Sequence, residues 1–178
     1  MRARGSGTER GTERGTSQAL ENGRPPVPTP PIETTDERPP ADWFDAMTSL
    51  PGAMPGRRYT VALPPRLLLL NANQRLHHHT RAEITKVLRR AAWASAQRIP
   101  PLERAHIIGV LHPKDKQRRD AANWYPSFKA CVDGLVDRGI LHDDDHTRLI
   151  GPDMRIGHVV AGNRLVLHIR ELVPLHAV

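Results

Sequence analysis

The chain has 178 residues, is 38% hydrophobic, and carries one cysteine, so an internal disulfide framework is excluded. No apolar run approaches the roughly 18 residues that a membrane-spanning helix needs. Six Arg against eight Asp or Glu leave residues 1–55 at −2, so residues 56–178 must carry +9 to give the chain's +7. A field of that sign favours a polyanionic partner, with nucleic acid first and an anionic membrane surface second.

Residues 1–55 hold a GTER duplication and the proline-rich stretch RPPVPTPPIETTDERPP. This composition buries too little apolar area to offset ordering entropy, and it predicts a disordered tail. The first residues have charge but no apolar core segment, which predicts no secretory signal and a cytoplasmic protein. Residues 56–178 are expected to form one folded domain, within the size range of a single hydrophobic core.

Within that domain, residues 59–63 (YTVAL) read as a strand ending at Pro64-Pro65, and 67–70 as a short extended run. From Thr80 the pattern turns helical, with Thr80 as N-cap, Glu83 three residues on, and Ile84, Val87, Leu88, Ala91 and Ser95 on one face. Lys86, Arg89 and Arg90 form a basic flank. Residues 104–112 (RAHIIGVLH) read as a strand. A second helix follows, with Asn123 as cap, Pro126 in the first turn, Tyr125, Phe128, Val132, Leu135 and Val136 on one face, and Gly139 as the stop. Cys131 on this helix reads as a small buried hydrophobe. Residues 154–160 and 164–172, joined at Ala161-Gly162-Asn163, are expected to pair as a hairpin. The order β-α-β-α-β-β predicts an α/β or α+β domain: a mixed sheet with two main helices.

Two features carry chemistry. One is Arg118-Arg119-Asp120-Ala121-Ala122-Asn123, between a strand and a helix. The other is Asp143-Asp144-Asp145, after that helix. Phosphodiester cleavage uses Mg²⁺ or Mn²⁺ to neutralise developing charge and activate water, and Mg²⁺ is held by one or two carboxylates plus water and phosphate. A helix of about 15 residues would separate the two segments by about 20 Å unless the chain folds back or a symmetry mate supplies the partner. The plain alternatives are that the acidic run is a solvated turn, that Asp120 starts a helix, and that Lys129 and Asp133 form a surface i, i+4 pair. His77, His78 and His79 are expected to be solvated or to contact phosphate, because consecutive side chains point in different directions. His142 and His146 flank the acidic loop. Asn71, Asn73 and Arg75 form a turn suited to phosphate contact.

These residues resemble the RusA-type crossover junction endodeoxyribonucleases. That family has an R-D-x-D-N segment, a Lys a few residues on, a D-A-L helix, and a D-D pair after a short turn. Here the matching stretches are Arg118 to Asn123, then Lys129-x-x-x-Asp133-Gly134-Leu135, then Gly139-Ile140-Leu141-His142-Asp143-Asp144. The strand ending in Pro64-Pro65, the 71–75 turn and the helix near Thr80 are similar to the family's opening, so the resemblance spans residues 57–172.

The resemblance implies a homodimer that makes paired nicks in branched, four-way DNA with Mg²⁺ or Mn²⁺, commonly phage- or prophage-encoded. It implies catalytic roles for Asp120, Lys129 and Asp144, and metal ligation by Asp120, Asp144, Asp143 and Asp145. It also implies DNA contacts from Arg118, Arg119, Asn123, Asn73, Arg75 and Lys86. Two departures stand out: the family's second aspartate is Ala122 here, and WYPSF lengthens the link to Lys129. Asp145 is the first candidate to replace the missing carboxylate, with Asp133 and Asp115 behind it. A catalytically inactive relative that binds branched DNA is the second reading.

Overall fold

The computed structural model describes residues 53–174, so the expected disordered tail lies almost wholly outside the described residues. The elements are β1 (Ala53–Ala62), α1 (His78–Ser95), β2 (Ala105–His112), a 3₁₀ turn (Ala122–Trp124), α2 (Tyr125–Asp137), β3 (Leu149–Ile156) and β4 (Arg164–Pro174). They build a mixed four-stranded sheet with two helices, in the order β1-β4-β2-β3. β4 runs antiparallel to both β1 and β2, and β3 runs parallel to β2.

The expected hairpin is therefore not formed: β3 and β4 lie on opposite sides of β2. The reason is the pattern of apolar residues. β2 is buried at every position and β4 at six in a row from Leu165, so both need a neighbour on each side. β3 is largely half-buried or exposed and contains Pro152, which suits an edge strand. The turn at Gly162 (φ +76°) and Asn163 forms as expected but docks elsewhere. The Arg66 amide donates to the carbonyls of Gly162 and Asn163, and the Lys114 amide donates to Asn163 Oδ1 at 3.0 Å.

Alternation along the strands sorts the sheet into two faces. Val61, Ile107, Leu111, Leu165, Leu167 and Ile169 join Leu88 and Ala92 of α1 and Phe128, Val132 and Leu135 of α2 in one core. Burying one such side chain stabilises by about 1.5–3 kcal/mol. The opposite face carries a smaller cluster, Ile108, Val110 and Val166, beside buried His106, His168 and Arg170. There His106 Nε2 lies 2.8 Å from Asp153 Oδ2, and Thr60 Oγ1 lies 3.2 Å from His168 Nδ1.

Several boundaries move. β1 begins at Ala53 rather than Tyr59, because Pro55 and its neighbours pair with the end of β4 although AMPGRR has no apolar alternation. α1 begins at His78, and Thr80 sits in its first turn instead of capping it. Its buried stripe is Leu88 and Ala92, flanked by Ile84 and Ala91, whereas Val87 is 48% exposed and Ser95 is exposed. Asn123 lies inside the 3₁₀ turn rather than at the cap. At the far end of α2, Gly139 adopts φ +78°. Its amide donates to Val136 and that of Ile140 to Leu135, the paired bonds of a Schellman stop. Burial pushes the Cys131 thiol up to about 12, so it stays protonated and inert.

The helices approach closely at Gly134, where an added Cβ would collide with the Arg89 carbonyl oxygen. Beside this contact Arg89 grips Asp137 through two parallel bonds, the Nη2 to Oδ1 distance being 2.6 Å. Both partners are about 40% exposed, so solvent screens the pair. Replacing Arg89 with Met is expected to cost less than about 1 kcal/mol in denaturant unfolding, and the difference should vanish in high salt.

Candidate functional site

The segment from Lys114 to Ala121, between β2 and the 3₁₀ turn, closes on itself. Arg119 donates to Asp115 Oδ1 at 2.6 Å and to the carbonyls of Asp115 and Gln117, and its side chain is only 13% exposed. This bond to Arg119, helped by the Gln117 amide, holds the Asp115 carboxyl below its usual range. Arg119 therefore shapes the loop, and Asp115 is occupied by it. Arg118 beside it is exposed. Asp120 is also exposed, and its Oδ1 accepts from the Ala122 amide at 2.9 Å, an Asx turn that starts the 3₁₀ helix.

The expected phosphate-contacting turn is bound to this same region. The Ala72 amide donates to the Asn123 carbonyl at 2.7 Å. One residue of α2, Ser127, holds both backbone groups of Leu70: its hydroxyl accepts from the amide at 2.7 Å and donates to the carbonyl at 2.9 Å. Inside the turn, Asn71 Oδ1 takes the Asn73 amide and Gln74 Oε1 takes the Asn71 amide. Asn73 and Arg75 are exposed at the turn, next to the start of α2. The sequence offers no signal for Ser127, a small polar residue on an otherwise apolar helical face. Its role exists only because an irregular segment lies against that face.

The acidic loop folds back along α2. Lys129 donates to Asp133, one turn on, and to Asp144 of the loop. The three side chains are 24–41% exposed. Burial of Lys129 alone would lower its pKa, but its bonds to the two carboxylates outweigh that and raise it. The two carboxylates thus favour the charged ammonium of Lys129.

The other two loop aspartates serve their own turn. Asp143 Oδ1 accepts from the Asp144 amide at 2.7 Å. Asp145 accepts from the hydroxyl and the amide of Thr147, which depress its pKa, and its carbonyl takes the amides of Arg148 and Leu149. Asp145 thus forms the lead into β3. The carboxylate gathered beside Asp144 is Asp133. Among the described residues, no group of three carboxylates lies close enough together to hold one ion. Lys86 is exposed on α1, and His142 and His146 are exposed on either side of the acidic run. No helix among the described residues is long and apolar enough to cross a membrane.

No family model matches the chain, and no curated protein matches it.

Proposed function

We propose that this chain is a metal-dependent endonuclease of branched DNA, resembling the RusA-type junction resolvases, with Asp120, Lys129 and Asp144 as its catalytic residues. The observation that carries this reading is the return of Asp144 to the Lys129 ammonium. The loop after α2 and the second turn of that helix, each matching part of one motif, meet at this contact. The basic balance of residues 56–178 supports the same reading.

The donor chemistry fits a hard divalent cation. Asp120, Asp143 and Asp144 offer carboxylate oxygens, and Mg²⁺ needs only one or two of these besides water and phosphate. When bound, Mg²⁺ or Mn²⁺ supplies charge neutralisation at the scissile phosphate and activates water. The chain's own groups do the rest. Arg118, Asn73 and Arg75, all exposed, would orient the phosphate backbone, with the Asn123 carbonyl holding the turn at Ala72 and Lys86 adding positive charge on α1. Lys129, its charged form favoured by the two carboxylates, offsets carboxylate charge and steadies negative charge as it develops. Paired nicks in a four-way junction need two sites, so the working unit is a homodimer. The setting is cytoplasmic DNA recombination or repair, in a protein of phage or prophage origin.

A second reading, an inactive protein that binds branched DNA, is favoured by one observation. Ala122 stands where the family has an aspartate, and among the described residues no three carboxylates gather closely enough to hold one ion. A labelled four-way junction beside a linear duplex, each with Mg²⁺, Mn²⁺ or EDTA, separates the two. Symmetric, metal-dependent nicks on the junction alone support the nuclease. Tight binding with no nick supports the second reading.

Both readings predict a steep salt dependence. Each neutralised phosphate adds about 0.9 to the slope of log affinity against log salt on duplex DNA. Arg118→Ala should lower that slope by about one and weaken all DNA targets alike. A flat response between 50 and 200 mM salt would rule out a basic DNA face.

A further inference from the structure

We infer that His77, His78 and His79 form a binding site for one ion of the Zn²⁺ class, distinct from the carboxylate site. Each ring offers a nitrogen, and these nitrogens lie within 4.8 Å of one another. The ring centroids are 4.3, 5.3 and 4.0 Å apart. Among the described residues, no other three His, Cys, Asp or Glu side chains are gathered in this way.

Consecutive residues in a regular element cannot do this. A strand sends alternate side chains to opposite faces, and a helix turns each residue by about 100°. The trio straddles a change of backbone, which relieves these limits for His77. His77 is extended, at φ −58° and ψ 144°, while His78 is the first residue of α1. The chain turns between them, and the three rings end on one side. All three are exposed, so an ion reaches them without any opening of the fold.

The chemistry selects the ion. Neutral imidazole suits Zn²⁺, Cu²⁺ and Ni²⁺, whereas Mg²⁺ prefers hard oxygen donors. In a tetrahedral zinc site, Zn–N bonds of about 2.0–2.1 Å place the nitrogens roughly 3.4 Å apart. Exposed imidazoles can close that gap by small χ rotations. Three protein ligands leave the fourth position to water, the pattern of an open zinc site rather than a closed structural one. The N-terminus of α1 carries partial positive charge that opposes a cation, as does Arg81 close by. The affinity should therefore fall below that of structural zinc sites. It should weaken further in acid, because the ligand nitrogens must be deprotonated.

The test uses the full chain, expressed without a polyhistidine tag. Zn²⁺ is titrated calorimetrically in metal-free buffer, and the Co²⁺-loaded chain is examined for tetrahedral d–d absorption. One Zn²⁺ per chain is expected, unaffected by millimolar Mg²⁺ and weakened at least about tenfold by His78→Asn. Circular dichroism should show an unchanged fold in that variant, since the side chain is exposed. The triple replacement of His77, His78 and His79 by Asn should abolish uptake, and His142→Asn with His146→Asn should not alter it. Absence of stoichiometric uptake overturns the assignment. So does uptake that survives the triple replacement, or that depends on His142 and His146, which would move the ion to the acidic loop.

Discussion

Asp144→Asn is expected to lower junction nicking by about 10²-fold or more while leaving junction binding intact or tighter. A ligand that lets a metal ion neutralise the transition state accounts for several kcal/mol, and each 1.36 kcal/mol is tenfold in rate. The substitution keeps the shape of the side chain and removes one negative charge. In the structure that charge faces Lys129, which also bonds Asp133. Losing it leaves Lys129 and Asp133 as a neutral pair and makes the site less repulsive to phosphate, hence the unweakened binding. The measurement is single-turnover cleavage of a labelled four-way junction, alongside its binding in EDTA. Nicking at the wild-type rate would remove Asp144 from the catalytic set. Asp145→Asn provides a contrast. Its carboxylate holds Thr147 in the turn before β3, so it should reduce stability more than the chemical step.

Phe128→Ala is expected to destabilise the domain by about 3–5 kcal/mol, the usual range for emptying a buried aromatic site. Phe128 is fully buried on the first turn of α2, and its ring fills the space over Gly109 of β2. An added Cβ at Gly109 would collide with that ring, so the pair is complementary: the strand gives up a side chain and the helix supplies one. Small domains are stable by only about 5–15 kcal/mol, so the loss should be plain in the denaturant midpoint. The melting temperature should fall by on the order of 10 °C. Phe128→Leu, which refills most of the space, should fall much less. Equal midpoints for the two variants would mean that the ring is not what fixes α2 to the sheet. Lys129 follows Phe128 directly, so a loosened α2 should also blur the contact with Asp144.

The sequence carried the two helices and the strand at 105–112, because each has a full apolar period of its own. It also placed the Gly139 stop, where a positive φ is needed, and the turn at Gly162 and Asn163. The separation between Asp120 and Asp144 was the main objection to pairing them. The structure answers half of it. The loop after α2 folds back to Lys129, while the bond recorded for the Asp120 carboxylate is the local one from the Ala122 amide. Arg119 has partners that the sequence did not signal. The motif suggests phosphate contact, and in the fold its guanidinium donates to Asp115 and two carbonyls.

Local periodicity, turn chemistry and charge balance can be read without the fold, and the sequence determined these by itself: an α+β domain with two helices, a net positive charge over residues 56–178, and an acidic loop after α2. Strand neighbours, loop partners and the company of each carboxylate depend on which distant surfaces bury the most apolar area, and only the tertiary structure decided them. β4 took the centre of the sheet because six consecutive buried residues need cover on both edges and faces. Once β3 was left at the edge beside β2, the loop entering it ran back along α2 and brought Asp144 to Lys129.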